Sequence, residues 1–307
     1  MTSRIAVLIP CHNEEAAIGR VVSNFRACLP DAQIFVYDNN SSDRTGEIAR
    51  REGAIVRREP LQGKGHVVRR MFADVEADIY VLVDGDDTYD ASKAPEMIAL
   101  LEGECLDMVT GTRFDHGDQA AYRRFHRAGN LLLTSLVRMV FGDRITDMLS
   151  GYRVFSRRFV KSFPALSAGF ETETEFTVHA LALDMPLGEF LTPYGARPLG
   201  SASKLRTYSD GFRILRSILL LVKDERPWAF FGLIGLALLL LGLILGVPVV
   251  VEFARTGLVP RLPTAVLATG LVMLASLSAV CGLILDSVAR GRKEAKRLAY
   301  LRIPRYH

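Results

Sequence analysis

The sequence predicts an α/β domain with a mostly parallel sheet, followed by two helices that cross a membrane. Short apolar runs alternate with helix-length segments up to about residue 225, which is the β-α-β-α pattern of a parallel sheet. Two long and almost uncharged stretches then follow, each long enough to span ~30 Å of hydrocarbon. With 307 residues, the chain accommodates one sizeable domain and this appendage.

The composition excludes several classes of protein. The net charge of +4 is mild, and no basic stripe with interleaved aromatic residues accompanies it, so nucleic acid is not an expected partner. The four cysteines are scattered without metal-ligand spacing, which argues against a zinc site or a disulfide framework and fits a reducing compartment. The N-terminus runs directly into a predicted strand, so we expect no signal peptide.

The first three strands are predicted at residues 5–9, 34–37 and 55–56, where apolar runs occur. Polar residues follow the first two of these runs. Asn13 is expected to cap the helix after the first strand, and a polar run at residues 38–45 follows the second. Because the carboxyl ends of parallel strands meet at one edge of a sheet, these polar groups should gather there.

The fourth strand, at residues 80–83, ends in the carboxylates of Asp84, Asp86 and Asp87. Carboxylates clustered at a strand end repel each other unless a cation lies among them, and Mg²⁺ and Mn²⁺ suit such oxygen ligands. This stretch is the centre of the predicted site. The alternative is an acidic turn that caps the next helix.

The turn Gly63-Lys64-Gly65 suggests an anion site, although it does not match the Walker A pattern. Arg58 stands at the first glycine position of that pattern, and Gly65 stands at its Ser/Thr position. Glycines at a helix start allow backbone N–H groups to approach an anion, and Lys64 adds a positive charge. The alternative is a flexible loop with a solvated lysine.

Later segments combine cations with small or acidic residues. A basic segment contains Arg123 and Arg127 and leads into a helix at residues 131–141, which suits either a core or a membrane surface. Residues 171–175 form a second acidic cluster. Residues 197–205 form a small-residue loop flanked by cations, which suits the binding of an oxyanion.

The last third of the chain predicts membrane attachment. We expect a first domain at residues 1–206, an interfacial helix at 207–227, spans at about 228–251 and 262–285, and a basic tail at 287–307. Basic residues dominate both outer flanks of the spans, so the positive-inside rule places both termini in the cytoplasm, beneath the inner or plasma membrane. The basic tail should lie against anionic lipid headgroups.

Taken in order, these motifs resemble those of family-2 glycosyltransferases with the GT-A fold. The matching motifs are residues 9–15, residues 38–45, Gly63-Lys64-Gly65, Asp84-x-Asp86, residues 147–153 and residues 197–205. The chain most resembles the branch of dolichol-phosphate mannose synthases and bacterial polyprenyl-phosphate hexose synthases, in which a two-helix C-terminal anchor recurs. The resemblance covers essentially the whole chain and implies a Rossmann-like GT-A catalytic domain.

The resemblance implies a role for each matching residue near the donor. The residues expected to bind the nucleotide sugar are Pro10 and Glu14 at the nucleoside, Asp38 at the nucleobase, and Lys64 and Asp84. Asp86 would be the principal ligand of Mg²⁺ or Mn²⁺, with Asp84 and Thr88 beside it. Two residues depart from the family pattern: Asn39 stands where many relatives have a second Asp, and Thr88 stands where some have Gln.

The resemblance also implies a set of groups that bind phosphates. Arg113 and Arg197 join Asp86 as the expected catalytic residues. The acceptor phosphate would be bound by Arg123, Arg127, Ser203 and Lys204, with Arg123 and Arg127 as alternatives for one role.

The implied reaction is an inverting transfer of a sugar from a nucleotide-sugar donor to a membrane polyprenyl phosphate, with a UDP-sugar favoured over GDP-mannose. A phosphate oxygen is already ionised at pH 7, so the reaction needs no strong general base, and Glu173 and Glu175 are expected to shape the sugar pocket.

Two alternatives to this function stay open. One is a transferase that acts on a lipid or glycan hydroxyl and uses one of these glutamates as a base. The other is a non-catalytic membrane scaffold that binds nucleotide sugars. Homo-oligomerisation through Gly232, Gly235 and Gly242 also stays open.

Overall fold

A seven-stranded mixed sheet organises the first part of the chain in the computed structural model, which describes residues 3–114, 146–169, 171–195, 216, 219–220 and 222–304. Its strands are β1 (Ile5–Cys11), β2 (Gln33–Asp38), β3 (Ile55–Arg58), β4 (Ile79–Leu82), β5 (Met108–Phe114), β6 (Arg153–Ser156) and β7 (Leu187–Pro193). Their order across the sheet is β3-β2-β1-β4-β6-β5-β7.

Strand direction determines which loops meet at one edge of the sheet. Four neighbouring pairs are parallel, and only the two pairs that include β6 are antiparallel. The carboxyl ends of β1, β2, β4, β5 and β7 therefore share an edge with the amino end of β6. This confirms the predicted α/β class and mostly parallel sheet, and it adds a reversed strand that the sequence did not predict.

The helices of this part are α1 (Ile18–Cys28), α2 (Thr45–Arg51), α3 (Lys64–Asp74), α4 (Ala94–Gly103), α5 (Arg157–Ser162) and α6 (Thr172–Ala182), with a short 3-10 helix at Ala91–Lys93. The predicted helix after Gly63 is confirmed, and its apolar face is buried as its spacing indicates. The predicted cap at Asn13 is wrong. Helix α1 begins only at Ile18, and the Asn13 side chain instead accepts the backbone N–H of Ser42 at 2.8 Å.

Aromatic rings fill the core between the sheet and α6. Phe72, Phe155, Phe159, Phe163 and Phe176 form a continuous set of ring contacts, with centroids 4.5–6.1 Å apart. Such pairs stabilise a core beyond the burial of their area. The imidazole of His179 lies edge-on to two of these rings and is 3% exposed.

Two long apolar helices, α7 (Pro227–Thr256) and α8 (Leu262–Leu301), follow the sheet. Their mean hydropathy reaches 2.9 and 2.1, so both are long and apolar enough to cross a membrane. Small side chains line their contact at every seventh residue: Gly235 and Gly242 on α7, and Ala268, Ala275, Gly282 and Ala289 on α8. A Cβ at Gly235 would stand 3.2 Å from the carbonyl oxygen of Ala275, so the glycine permits close backbone packing.

Gly232, which the sequence grouped with Gly235 and Gly242, is in a different environment. A Cβ at Gly232 would meet none of the described atoms within 4 Å. Two of the three glycines therefore pack the hairpin within one chain, and homo-oligomerisation stays a prediction.

The chain divides into two compact units whose bounds differ from the predicted ones. The first consists of Met1–Ile218 and Lys296–His307, and the second of Leu219–Ala295. Much of the predicted basic tail belongs to α8, and its end packs within the first unit. There Tyr300 donates to Asp107 at 2.7 Å, and Arg158 donates to the carbonyl of Ile303 at 2.8 Å.

We predict that His179 makes the stability of the protein depend on pH. Burial, assisted by the charge of Lys296, lowers the pKa of His179 to about 3. An unfolded chain has a histidine pKa of about 6.5, so below that pH the unfolded state takes up a proton that the folded state does not bind. This single group should remove about 1.4 kcal/mol of stability between pH 7.5 and pH 5.5.

The measurement is urea unfolding of the detergent-solubilised protein at both pH values, followed by circular dichroism. In His179→Gln the loss of stability between the two pH values should be smaller by that amount, because the carboxyl groups titrate alike in both proteins. An equal pH dependence in the two proteins would contradict the prediction.

Candidate active site

A cavity of about 590 Å³ lies at the edge of the sheet where the carboxyl ends of β1, β2, β4 and β5 meet. Six predicted site residues line it: Pro10, Glu14, Lys64, Asp84, Asp86 and Arg113. Asp38 and Thr88 do not line it, and the predicted Arg123, Arg127, Arg197, Ser203 and Lys204 lie outside the described residues. The topology thus brings together all the predicted donor-side residues except Asp38, as the recurrence of polar clusters at strand ends predicts.

Lys64 is part of the cavity wall and is almost completely buried. Its Nζ is 2.5 Å from Asp84 Oδ1 and 2.6 Å from Glu173 Oε1, and its side chain is only 8% exposed. Lys64 comes from the first turn of α3, Asp84 follows β4, and Glu173 lies in the first turn of α6. One ammonium group therefore connects three elements that are distant in the sequence.

Burial and charge act in opposite directions on these groups. Burial alone would lower the pKa of Lys64, but the negative charges of Asp84 and Glu173 outweigh it and leave the pKa above its usual value. Burial raises the pKa of Asp84 to about 6; Lys64 opposes this shift, while Asp86 and Glu173 add to it. The excess of carboxylates over cations makes the cavity attractive to a further cation.

The three carboxylates after β4 have different partners. Asp86 Oδ1 accepts the hydroxyl of Thr88 at 2.6 Å and its backbone N–H at 3.3 Å. Thr88 therefore orients Asp86, and its predicted role as a metal ligand stays a prediction. Asp87 has a positive φ of 58° and turns its side chain to Arg20, 2.8 Å away. The cavity wall includes only Asp84 and Asp86 of the three.

This donor set fits a hard divalent cation in one particular way. Among residues 3–114, 146–169, 171–195 and the described C-terminal part, no group of three acidic, histidine or cysteine side chains is arranged to hold a metal. Mg²⁺ typically takes one or two carboxylates and completes its shell with substrate phosphates and water. Asp86, with Asp84 beside it, can supply the protein's share of such a shell.

Asn39 shapes the cavity wall by holding a neighbouring loop. Its Nδ2 donates to the carbonyls of Glu59 and Leu61 at 2.9 and 2.7 Å, and its Oδ1 accepts the N–H of Gly63 at 2.7 Å. An aspartate cannot donate to those two carbonyls. The departure from the family pattern at this position is therefore matched to the loop that this chain has.

The turn at Gly63 and Gly65 differs from the predicted anion site. The N–H of Gly63 is bound to Asn39, and the N–H of Gly65 donates to the carbonyl of Ala168 at 3.0 Å. A Cβ at either glycine would collide with a backbone carbonyl oxygen of Ser167 or Ala168. These glycines thus allow close approach of another loop, and the expectation that their amides face an anion is wrong. Lys64 remains the charged group of the turn that borders the cavity.

Arg113 forms a bidentate pair that the sequence did not predict. Its Nε and Nη2 lie 2.7 and 2.8 Å from the two oxygens of Asp147. Glu189 in turn accepts the N–H of Thr146 at 2.5 Å, which holds the start of this loop. A phosphate would reach Arg113 through its remaining N–H groups, so its predicted catalytic role stays a prediction.

A fully buried guanidinium ties the loop before β6 to the start of α6. Arg153 donates to the carbonyls of Met148, Ser150 and Glu173 at 2.7, 3.1 and 3.2 Å, and to the hydroxyl of Thr177 at 3.1 Å. Burial lowers the pKa of Arg153 to about 10, which leaves it charged at pH 7. Carbonyl dipoles replace the water that this cation has lost.

The two glutamates of α6 are used differently. Glu173 places Oε1 on Lys64, while its buried Oε2 accepts no hydrogen bond from the residues that the structure describes. Glu175 accepts the backbone N–H of Leu166 on one oxygen and that of Ser167 on the other. Only Glu173 borders the cavity.

Sequence reasoning missed two aromatic residues of the cavity wall. Tyr89 accepts the N–H of Gly151 at 2.9 Å, and its ring contacts that of Tyr194. Tyr194 also stacks beneath the guanidinium of Arg113, 5.6 Å from the ring centre. The position of Tyr89 directly after the acidic stretch was a usable signal, whereas Tyr194 is brought in only by the pairing of β5 with β7.

Comparison with known proteins identifies the architecture. Residues 6–163 match the sequence profile described as "Glycosyl transferase family 2". The chain is 34% identical over 251 residues to glycosyltransferase AglJ of Haloferax volcanii, covering 81% of this chain and 82% of that one. It is 28% identical to the dolichyl-phosphate hexose transferase of the same organism, covering 72% of this chain and 95% of the other.

Solved structures share the same fold. One is glucosyl-3-phosphoglycerate synthase of Mycobacterium tuberculosis in complex with Mn²⁺, UDP-glucose and phosphoglyceric acid. Its TM-score is 0.57 at 24% identity, and the match covers 71% of this chain and 79% of that one.

We predict that Lys64→Met will destabilise the protein by about 3 kcal/mol, because it leaves the carboxylates of Asp84 and Glu173 without their shared cation. This is the lower end of the usual range for a broken buried pair, since the Asp84 side chain keeps 31% of its exposure. Urea unfolding in detergent measures the change.

The matched control is Lys93→Met, which removes a lysine from a more exposed i,i+3 pair with Glu96. It should cost less than about 0.5 kcal/mol. Equal losses in the two variants would show that the Lys64 cluster adds nothing to stability.

Proposed function

The chain belongs to glycosyl transferase family 2, and from that premise we propose that it transfers a sugar from a nucleotide-sugar donor to a membrane polyprenyl phosphate. The product is a lipid-phosphate-linked sugar with an inverted anomeric centre. One observation carries the proposal: the chain that forms the Lys64–Asp84–Asp86 cavity also carries two apolar helices. The similarity to a dolichyl-phosphate hexose transferase over 72% of the chain supports it.

The donor diphosphate is proposed to lie along Lys64, Asp84 and Asp86. A nucleoside diphosphate leaves readily only when its negative charge is neutralised. A Mg²⁺ or Mn²⁺ ion held by Asp86 and Asp84 would supply that neutralisation. Lys64 adds a fixed positive charge, and Asp84 and Glu173 keep it in place. Pro10 and Glu14 would then border the nucleoside.

We favour a UDP-sugar over GDP-mannose as the donor. The basis for that choice is that the sequence resembles bacterial members of the branch. The structural neighbour from Mycobacterium tuberculosis was solved with UDP-glucose and Mn²⁺, in agreement with it. Asp38 is the proposed nucleobase residue, with one oxygen accepting the N–H of Ser41 at 2.9 Å.

The acceptor chemistry needs no strong base. An ionised phosphate oxygen forms the bond to the anomeric carbon while the bond to the nucleoside diphosphate breaks, and no proton has to be removed from the nucleophile. The two glutamates of α6 agree with this, because Glu175 is bound to backbone N–H groups and Glu173 to Lys64. Among the described residues, Arg113 borders the cavity and is proposed to help bring the two anionic substrates together.

The helices explain how the enzyme would reach its acceptor. A long isoprenoid stays in the bilayer, so we propose that α7 and α8 cross the inner or plasma membrane, with both termini and the catalytic part in the cytoplasm. The basic residues at residues 290–297 support this orientation, because cationic segments stay on the cytoplasmic side.

A second candidate is a transferase that acts on a lipid or glycan hydroxyl. Such an acceptor must lose a proton, and a carboxylate usually removes it. The observation that favours this candidate is the buried Oε2 of Glu173, which borders the cavity and accepts no hydrogen bond from the described residues. Glu175 is no longer an equal choice, because both of its oxygens are engaged.

We predict that Asp86→Asn will lower the formation of a sugar-linked lipid phosphate by about 10²–10³-fold, the usual cost of removing one preorganised electrostatic group. The assay combines purified protein in detergent with undecaprenyl phosphate, Mg²⁺ or Mn²⁺ and a panel of UDP- and GDP-sugars. Mass spectrometry detects the product.

The matched control is Asp87→Asn, which changes the next carboxylate in the same turn. Asp87 pairs with Arg20 outside the cavity, and asparagine tolerates the positive φ of this position. Activity should therefore fall less than about threefold. Hydrolysis of the donor without formation of the lipid product would indicate that the enzyme uses an acceptor other than undecaprenyl phosphate. No turnover by a folded wild-type protein across the panel would count against the transferase and for a nucleotide-sugar-binding scaffold.

We predict that Glu173→Gln will separate the two acceptor classes. With a phosphate acceptor, kcat should fall less than about tenfold, since Lys64 keeps its bond to Asp84 and no base is lost. A loss in kcat of about 10²–10⁴-fold would instead identify Glu173 as the base and favour a hydroxyl acceptor. In that case the variant should also lose the fall in kcat that the wild type shows at low pH, where the base is protonated. Steady-state kinetics between pH 5.5 and 8.5 measure both quantities.

A further inference from the structure

We propose that Glu175, which lies outside the cavity wall, is a positioning residue that holds Lys64 in place through the loop at residues 165–169. The inference rests on the proposed function only in that Lys64 is taken to bind the donor diphosphate. Three contacts connect the carboxylate of Glu175 to the ammonium of Lys64.

The first contact fixes the loop to α6. Glu175 is 4% exposed, and its Oε1 and Oε2 accept the backbone N–H groups of Leu166 and Ser167 at 2.8 and 2.9 Å. Charge-assisted bonds of this kind are about twice as strong as neutral ones. Because each oxygen takes a different N–H, the carboxylate determines both the position and the orientation of this peptide segment.

The backbone of the loop is itself in an unusual conformation. Ala165, directly before Leu166, has a φ of 47°, in the left-handed region that residues with a Cβ rarely adopt. Such a conformation is energetically unfavourable and persists only when the surroundings hold it. The two bonds to Glu175 supply that restraint next to the strained residue.

The second contact joins the loop to the turn that carries Lys64. The carbonyl of Ala168 accepts the N–H of Gly65 at 3.0 Å. The carbonyl oxygens of Ser167 and Ala168 lie so close to Gly65 and Gly63 that a Cβ at either glycine would collide with them. The loop and the turn therefore fit in one register, and a shift of the loop must move the turn.

The third contact is that of Lys64 itself. Its ammonium has to stay within hydrogen-bond distance of both Asp84 and Glu173, which stand on different elements. Displacement of the turn by a fraction of an ångström lengthens one of these bonds. Small misplacements of a binding group are costly in active sites. Glu173 thus restrains Lys64 directly, and Glu175 restrains it through the backbone.

The test is Glu175→Gln in the full-length protein. Glutamine can accept one of the two N–H groups, but its amide nitrogen then faces the other donor. We expect the dissociation constant for UDP or GDP, whichever binds the wild type, to rise about tenfold by calorimetry. In a Lys64→Met background the same substitution should change the dissociation constant less than about twofold, because the ammonium group that Glu175 positions is then absent.

Hydrogen exchange supplies a readout that needs no nucleotide. In Glu175→Gln, amides at residues 62–68 should exchange faster, together with those at residues 165–168. Glu76→Gln is the matched control: Glu76 bridges Arg157 and Lys161 before β4, at the edge of the sheet opposite the cavity. It should leave both segments unchanged. This readout decides the matter should Lys64→Met fail to fold.

Three outcomes would overturn the inference. They are faster exchange confined to residues 165–168, an equal loss of nucleotide binding with and without Lys64, and nucleotide binding by Glu175→Gln equal to that of the wild type. Failure of the premise that the cavity binds a donor diphosphate looks different, because the wild type would then bind neither UDP nor GDP. Exchange at residues 62–68 would still confirm or refute the positioning of the turn by Glu175.

Discussion

A buried ammonium shared by two carboxylates holds the candidate site together. Lys64 could not remain charged in so closed a place without Asp84 and Glu173, and neither carboxylate is well placed without Lys64. Each of the three stands at the end or beginning of a different element. The geometry of the cavity therefore depends on α3, β4 and α6 together, and a local change in any one of them affects the other two.

Around that cluster, side chains satisfy backbone groups that no regular element pairs. Asn39 holds the loop before α3, Arg153 binds the carbonyls of Met148 and Ser150 ahead of β6, and Glu175 accepts two N–H groups. Buried polar groups are costly unless paired, so these side chains make irregular loops as definite in structure as the strands. Such loops form part of the cavity wall.

The sequence predicts well whatever depends on local periodicity. The apolar runs of β1, β2 and β4 and the helical spacing of α3 are local properties, and so is the position of Asp84 and Asp86 directly after a strand. The clustering of Pro10, Glu14, Lys64 and Asp86 also follows, because parallel strands send their carboxyl ends to one edge. Family resemblance correctly adds the class of enzyme.

What the sequence did not predict depends on contacts between distant segments. The reversal of β6, the pairing of Arg113 with Asp147 and the packing of Ala168 on Gly65 each join residues more than thirty positions apart. Such pairs have no periodic signature. Asn13 is instructive, because its side chain has the chemistry of a helix cap yet binds Ser42 on a neighbouring loop. Tertiary partners outcompete the local one there.

The amide of Asn39 has a consequence for how the family diverges. A change of Asn39 to aspartate, the residue that the family resemblance implies at this position, would place a carboxylate against the carbonyl oxygens of Glu59 and Leu61. The substitution becomes tolerable only after the loop itself has changed. Position 39 and the loop at residues 59–63 thus constrain each other, and a substitution at one should be compatible only with a matching change at the other.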